Sequence, residues 1–188
     1  MTNNFPAESA LYPESPQYQY SDSFAIPLQR TDIKSWELIA AFFQSSPNWV
    51  DSLFALRNRI VGYLGLKTGH DNPRALDPPY QAGRKIGLFR VIGLTDSEAL
   101  IGEDDSHLDF RVSLLLIHTD TGSQLVVSTL VKTKNALGVA YFSIVKHFHR
   151  LIVPIMVRAM ARKIDEKSLP QHRLLFEATP IIPSDTAR

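Results

Sequence analysis

The chain has 188 residues, of which 44% are hydrophobic and 21% charged. That apolar fraction excludes a disordered chain, and the length suits one domain with tails. A net charge of +1 lacks the basic excess that a general nucleic-acid-binding protein needs. The sequence has no cysteine, which excludes disulfides and thiolate metal sites and favours a reducing, cytoplasmic location. No apolar run approaches the roughly 20 residues that span a membrane.

The first half of the chain predicts an arm, a strand and two helices. Residues 1–19 are rich in proline, serine and asparagine, and we expect a flexible arm because such a composition buries too little surface. A first strand is predicted over residues 20–28. Two short helices follow, one around residues 32–43 and one that begins at the Ser46-Pro47 start signal and runs to about residue 64.

The second half of the chain predicts strands and then a long helix. Four strands are predicted, over residues 86–94, 99–102, 107–118 and 124–134. The last helix is predicted from about residue 136 to 164. Its inner stripe is predicted to contain Leu137, Tyr141, Ile144, Val145, Phe148, Ile152, Ile155 and Ala159.

The turn after residue 118 predicts the register of the last two strands. If His118 pairs with Ser123, Asp109 lies opposite Lys132, and Phe110 faces the same side as the apolar residues that alternate with it. The same register predicts an exposed ion pair between Asp109 and Lys132.

The order of these elements indicates the fold class. Helices and strands that come in runs, without regular alternation, favour α+β over α/β. A curved antiparallel sheet gripping a long C-terminal helix is the helix-grip arrangement, which often holds a cavity between helix and sheet. We therefore predict one helix-grip domain over residues 20–167, followed by a tail over residues 168–188.

Several segments resemble a known bacterial family. They are YSDSF (20–24), LRNRIVGYLGL (56–66), EDDSHLDFRVSL (103–114), VSTLVKTKNALGVAYFSIV (127–145) and FHRLIVPIM (148–156). Together they resemble the domain-of-unknown-function family DUF2867 over roughly residues 20–160. The resemblance implies a START-like, helix-grip fold. A similar domain follows an NAD(P)-binding reductase domain in some bacterial proteins, and the family implies no catalytic residues.

Four residues are predicted to contact a ligand. Arg57 falls on the apolar face of the second helix, where an unpaired charge is costly. It forms either a structural ion pair or an anchor for an anionic head group. Tyr141 is a second polar contact on the inner stripe of the last helix, and Phe110 and Phe148 are predicted to line the wall of the cavity.

These residues predict a binding module for a small apolar or amphipathic ligand, without cofactor or metal. One alternative is an enzyme of the cyclase, isomerase or hydrolase type, with His107 and Asp109 as the acid–base pair and Ser113 or Ser128 as nucleophile. The same pair could chelate a metal only with a third ligand such as His149, so we expect no metal site. Another alternative is an interaction domain that partners a reductase.

Overall fold

The structure, a computed structural model, describes residues 5–46, 80–120 and 122–166. Six strands form one antiparallel sheet in the order β1-β6-β5-β4-β3-β2. The strands are β1 (Tyr20–Leu28), β2 (Lys85–Ile86), β3 (Phe89–Leu94), β4 (Glu98–Asp104), β5 (Leu108–Thr119) and β6 (Gly122–Thr133). Helix α1 spans Ser35–Gln44, helix α2 spans Ala136–Glu166, and a 3-10 helix spans Tyr12–Gln17. Neither α-helix combines the length and the apolar character needed to cross a membrane.

The α+β class and the long C-terminal helix are confirmed. α1 is the first predicted helix, whereas residues 47–64 of the second lie outside the described residues. The predicted register of the last two strands is confirmed, because His118 pairs with Ser123 and Asp109 with Lys132. The predicted ion pair is wrong, because the Asp109 carboxylate lies 2.6 Å from the ammonium of Lys134, two residues further along.

One face of the sheet carries the main hydrophobic core. The C-terminal half of α2 and the apolar face of α1 pack there on β4, β5 and β6. The fully buried side chains at this face include Leu38, Ile39, Ile101, Leu114, Leu125, Met160 and Ile164. Side chains therefore fill the space between the sheet and this half of α2.

The predicted rotation of α2 is wrong in its N-terminal half. Ile144 is 64% exposed and Phe148 is 44% exposed, although both are predicted to face the sheet. Ile155, in the C-terminal half, is also predicted to face inward and is 44% exposed. In the N-terminal half of α2 the buried residue is Gly138, where an added Cβ would collide with the carbonyl oxygen of His107. Since α2 has apolar residues on several sides, its periodicity predicts a helix but leaves the inward side open.

The N-terminal segment covers the opposite face of the sheet. Phe5 and Leu11 are buried there against Leu130. The segment predicted as a flexible arm therefore has its own tertiary contacts, which composition does not reveal because the apolar partner lies on a distant strand. The domain boundaries at residues 19 and 167 stay predictions.

A buried carboxylate joins this segment to the sheet. Glu98 is 3% exposed and accepts hydrogen bonds from the hydroxyls of Ser9 and Ser113, each at 2.5 Å. The backbone N–H of Ala10 donates to its other oxygen at 2.9 Å. Buried polar groups persist when they are hydrogen-bonded in this way, and here the donors come from two separate parts of the chain.

We predict that Glu98→Ala lowers the free energy of unfolding by about 3 kcal/mol, because it removes the charged acceptor shared by two buried hydroxyls and the partly buried Ala10 amide. Urea unfolding followed by circular dichroism measures the change. Glu8→Ala is the matched control, since Glu8 is exposed and lies one residue from Ser9. Equal stability of the two variants would contradict the role given to Glu98.

We also predict that Gly138→Ala destabilises the protein by about 1–2 kcal/mol. Alanine favours a helix over glycine by about 1 kcal/mol, but its Cβ meets the His107 carbonyl and forces α2 away from the sheet. Thermal and urea unfolding test the sign of this change in stability. Gly93→Ala is the control, because within the described part of the chain nothing but its sequence neighbours lies within 4 Å of a Cβ there. A stabilised Gly138→Ala variant would refute the close approach.

Candidate functional site

An open groove of about 370 Å³ lies between the N-terminal half of α2 and the strands beneath it. We call it the α2 groove. The strand side contributes Gln19, Tyr20, Val131 and Thr133, and α2 contributes Val139, Phe142, Ser143 and Lys146.

Simple periodicity explains how these residues come together. Tyr20 of β1 and Val131 of β6 are register partners, so their side chains project from the same face of the sheet. The four α2 residues stand at positions i, i+3, i+4 and i+7, which share one face of a helix. The rotation of α2 that buries Gly138 turns this face toward the strands.

Aromatic and aliphatic side chains form the floor of the groove. The Tyr20 and Phe142 rings meet edge to face with centroids 4.9 Å apart. Phe110 pairs with Val131 on the next strand and extends the same apolar face, where its ring meets Phe89 at 5.4 Å. The floor is therefore continuous with the apolar face of the sheet.

A three-residue cluster ties α2 to the edge strand beside the groove. The Tyr20 hydroxyl donates to Asp22 at 2.6 Å, and Nε2 of His149 lies 3.1 Å from the same carboxylate oxygen. Tyr20 and Asp22 are two residues apart on β1 and so share a face of the sheet. Burial, followed by the hydrogen bond to Asp22, raises the pKa of Tyr20 to about 12.

This cluster joins two segments that carry the family resemblance. Asp22 belongs to YSDSF and His149 to FHRLIVPIM, and 127 residues separate them. A histidine oriented by a carboxylate is the arrangement found in general bases. From the sequence, His149 is a possible third metal ligand or a packed, capping or solvent-facing histidine, because nothing in local spacing connects it with Asp22.

The rim of the groove is polar and positively charged. Lys146 is partly buried, and within the described part of the chain no carboxylate lies within 4 Å of its ammonium. The positive charge of Arg150 partly offsets the increase in the Tyr20 pKa. The Gln19 side-chain oxygen accepts from the Thr133 N–H at 2.9 Å, which leaves its amide hydrogens available.

The four ligand contacts predicted from the sequence are not gathered at one place. Phe110 lies on the sheet face that continues the groove floor, and Tyr141 is partly buried with its ring 5.1 Å from that of His107. Phe148 is 44% exposed on another side of α2. Arg57 lies outside the described residues.

His107 and Asp109, the acid–base pair of the enzyme alternative, contact different groups. His107 is 2% exposed beneath the first turn of α2, and its Nδ1 lies 3.7 Å from the Asp105 carboxylate. Asp109 pairs with Lys134. The carboxylate and imidazole that the structure places in contact beside the groove are instead Asp22 and His149.

We predict that the stability conferred by Tyr20 declines at alkaline pH. Its folded pKa of about 12 lies above the ordinary 10.0, so the contribution is complete below pH 10 and disappears as the pH rises through 12. The wild type should therefore lose more unfolding free energy than Tyr20→Phe over that interval. Tyr12→Phe, at an exposed tyrosine, should follow the wild type, and identical profiles for all three proteins would contradict the raised pKa.

Comparisons with known proteins place these observations in a family. The family model for a protein of unknown function, DUF2867, matches residues 15–156. No curated protein sequence matches the chain significantly. An uncharacterized protein from Rhizobium leguminosarum, solved in a structural genomics programme, is similar over 76% of this chain and 95% of its own, with 9% identity and a TM-score of 0.38. By the extent of the family match, this chain belongs to the DUF2867 family.

Proposed function

We propose that this protein is a binding module for a small amphipathic ligand that occupies the α2 groove. The observation that carries the proposal is the combination of an apolar floor with a polar rim in a space of about 370 Å³. Small-molecule sites typically have volumes of about 300–1,000 Å³, with mostly apolar walls and a few polar groups that orient the ligand.

The apolar part of the ligand is expected to lie on Tyr20, Val131 and Phe142, with its polar end toward the rim. Each methylene removed from water contributes about 0.8 kcal/mol, whereas association costs several kcal/mol. Eight methylenes contribute at most about 6 kcal/mol, and an open groove leaves part of the chain in water, so an eight-carbon probe should bind no more tightly than the millimolar range.

The residues predicted from the sequence enter this proposal to different degrees. Phe110 extends the groove floor and is proposed as a ligand contact. Tyr141, Phe148 and Arg57 stay candidate contacts on the grounds given by the sequence. A cytoplasmic site of action is also proposed, and the cysteine-free composition supports it.

The proposal predicts that 1-octanol, titrated into the ¹⁵N-labelled full-length protein, shifts the amide resonances of Thr133, Val139 and Ser143. Phe142→Ala should weaken binding about tenfold, because it removes the largest apolar contact of the floor. Leu151→Ala is the control on the same helix and should bind as the wild type does, because Leu151 is 66% exposed and does not line the groove. Equal losses of octanol affinity in the two variants would show that the ligand lies elsewhere.

A second pair of variants guards against a folding defect in Phe142→Ala. Val139 is 56% exposed at the groove and Ile144 is 64% exposed outside it, so a charge at either position leaves the core intact. Val139→Glu should abolish octanol binding, and Ile144→Glu should preserve it. Binding that survives Val139→Glu would refute the groove as the site.

A further inference from the structure

Resting on the proposed function, we infer that the α2 groove selects ligands whose polar end is a carboxylate, and that Lys146 supplies the selecting positive charge. The ligand class is therefore a small acid with a short apolar chain. The chain lies on the Tyr20 and Phe142 rings, and the carboxylate lies at the rim.

Positive charges outnumber negative charges around the groove. Lys146 lines the groove, Arg150 lies one helical turn further along and acts on Tyr20 through its charge, and α2 has no acidic residue before Asp165. The carboxylate beside the groove is Asp22, which already accepts from the Tyr20 hydroxyl and contacts His149. Its charge is therefore engaged within the protein, and the Lys146 ammonium is the group left to bind a ligand.

The neutral polar groups of the rim fit the same ligand. The side-chain amide of Gln19 keeps its two N–H donors, because its oxygen is the atom that accepts from Thr133. Thr133 adds a hydroxyl beside it. A carboxylate accepts hydrogen bonds only, so a rim composed of an ammonium, an amide and a hydroxyl matches it.

Other head groups gain less from this rim. An ammonium would face Lys146 and Arg150, and like charges in one site repel each other. An alcohol keeps the apolar contact with the groove floor and forms one hydrogen bond between neutral groups at the rim. We expect octanoate to bind about tenfold more tightly than 1-octanol, because hydrogen bonds between charged partners are about twice as strong as neutral ones.

The experiment compares octanoate, 1-octanol and octylamine, titrated separately into the full-length protein near neutral pH and at about 20 mM salt. The expected order is octanoate, then octanol, with octylamine weakest. Lys146→Met should weaken octanoate about tenfold and leave octanol unchanged, whereas Lys146→Arg should keep the preference. Lys163→Met is the matched control on the same helix, away from the groove. Raising the salt to about 500 mM should narrow the gap between octanoate and octanol.

The outcomes separate this inference from the proposed function. If octanoate and octanol bind equally, or if Lys146→Met weakens both to the same degree, the inference about the carboxylate is overturned and the binding groove stands. If no probe shifts the groove amides, the proposed function itself fails. Lys146→Glu adds an independent check, since reversing the charge should make octylamine the preferred probe. A preference for octanoate that persists in Lys146→Glu would overturn the role of Lys146.

Discussion

The rotation of α2 depends on one close contact with the sheet. The carbonyl oxygen of His107 accepts from the N–H of Lys134 and lies against Gly138 in the first turn of α2. Asn135 caps this turn, because its side-chain oxygen accepts from the Gly138 N–H at 2.9 Å. With Gly138 inward, Phe142 and Lys146 face the strands, and Ile144 and Phe148 face solvent. The groove exists because the helix starts in this orientation.

The two halves of α2 have different relations to the sheet. The C-terminal half buries Val157, Met160 and Ile164 in the main core, where side chains interlock and leave little free volume. The N-terminal half stands at the edge formed by β1 and β6, held by the edge-to-face contact of Phe142 and the pairing of His149 with Asp22. One helix thus contributes both stability and an accessible surface.

The sheet is covered on both faces, and the second face carries polar groups that need partners. Glu98, Ser113 and Ser128 alternate with apolar residues that belong to the main core, so they point to the opposite side. The N-terminal segment excludes water there and supplies Ser9 and Ala10 as donors to Glu98. Ser128 bonds with Ser23 across the β1–β6 pair. A strand face that contains polar residues is therefore buried under a segment whose composition alone predicts a flexible arm.

The sequence by itself determined five of the six strands, the register of the last two strands, the span of α2, the fold class and the family. These follow from periodicity, turn residues and short motifs, which are local properties of the chain. The sequence predicted the two-residue strand β2 and strand β3 as one continuous strand. Only the tertiary structure decided which side of α2 faces inward, that Asp109 pairs with Lys134, and that Asp22 meets His149. The physical reason is that α2 has apolar residues around much of its circumference, so hydrophobicity alone does not select a face. The close approach of Gly138 to the His107 carbonyl and the contact between Asp22 and His149, 127 residues apart, make that selection, and neither leaves a signal in local spacing.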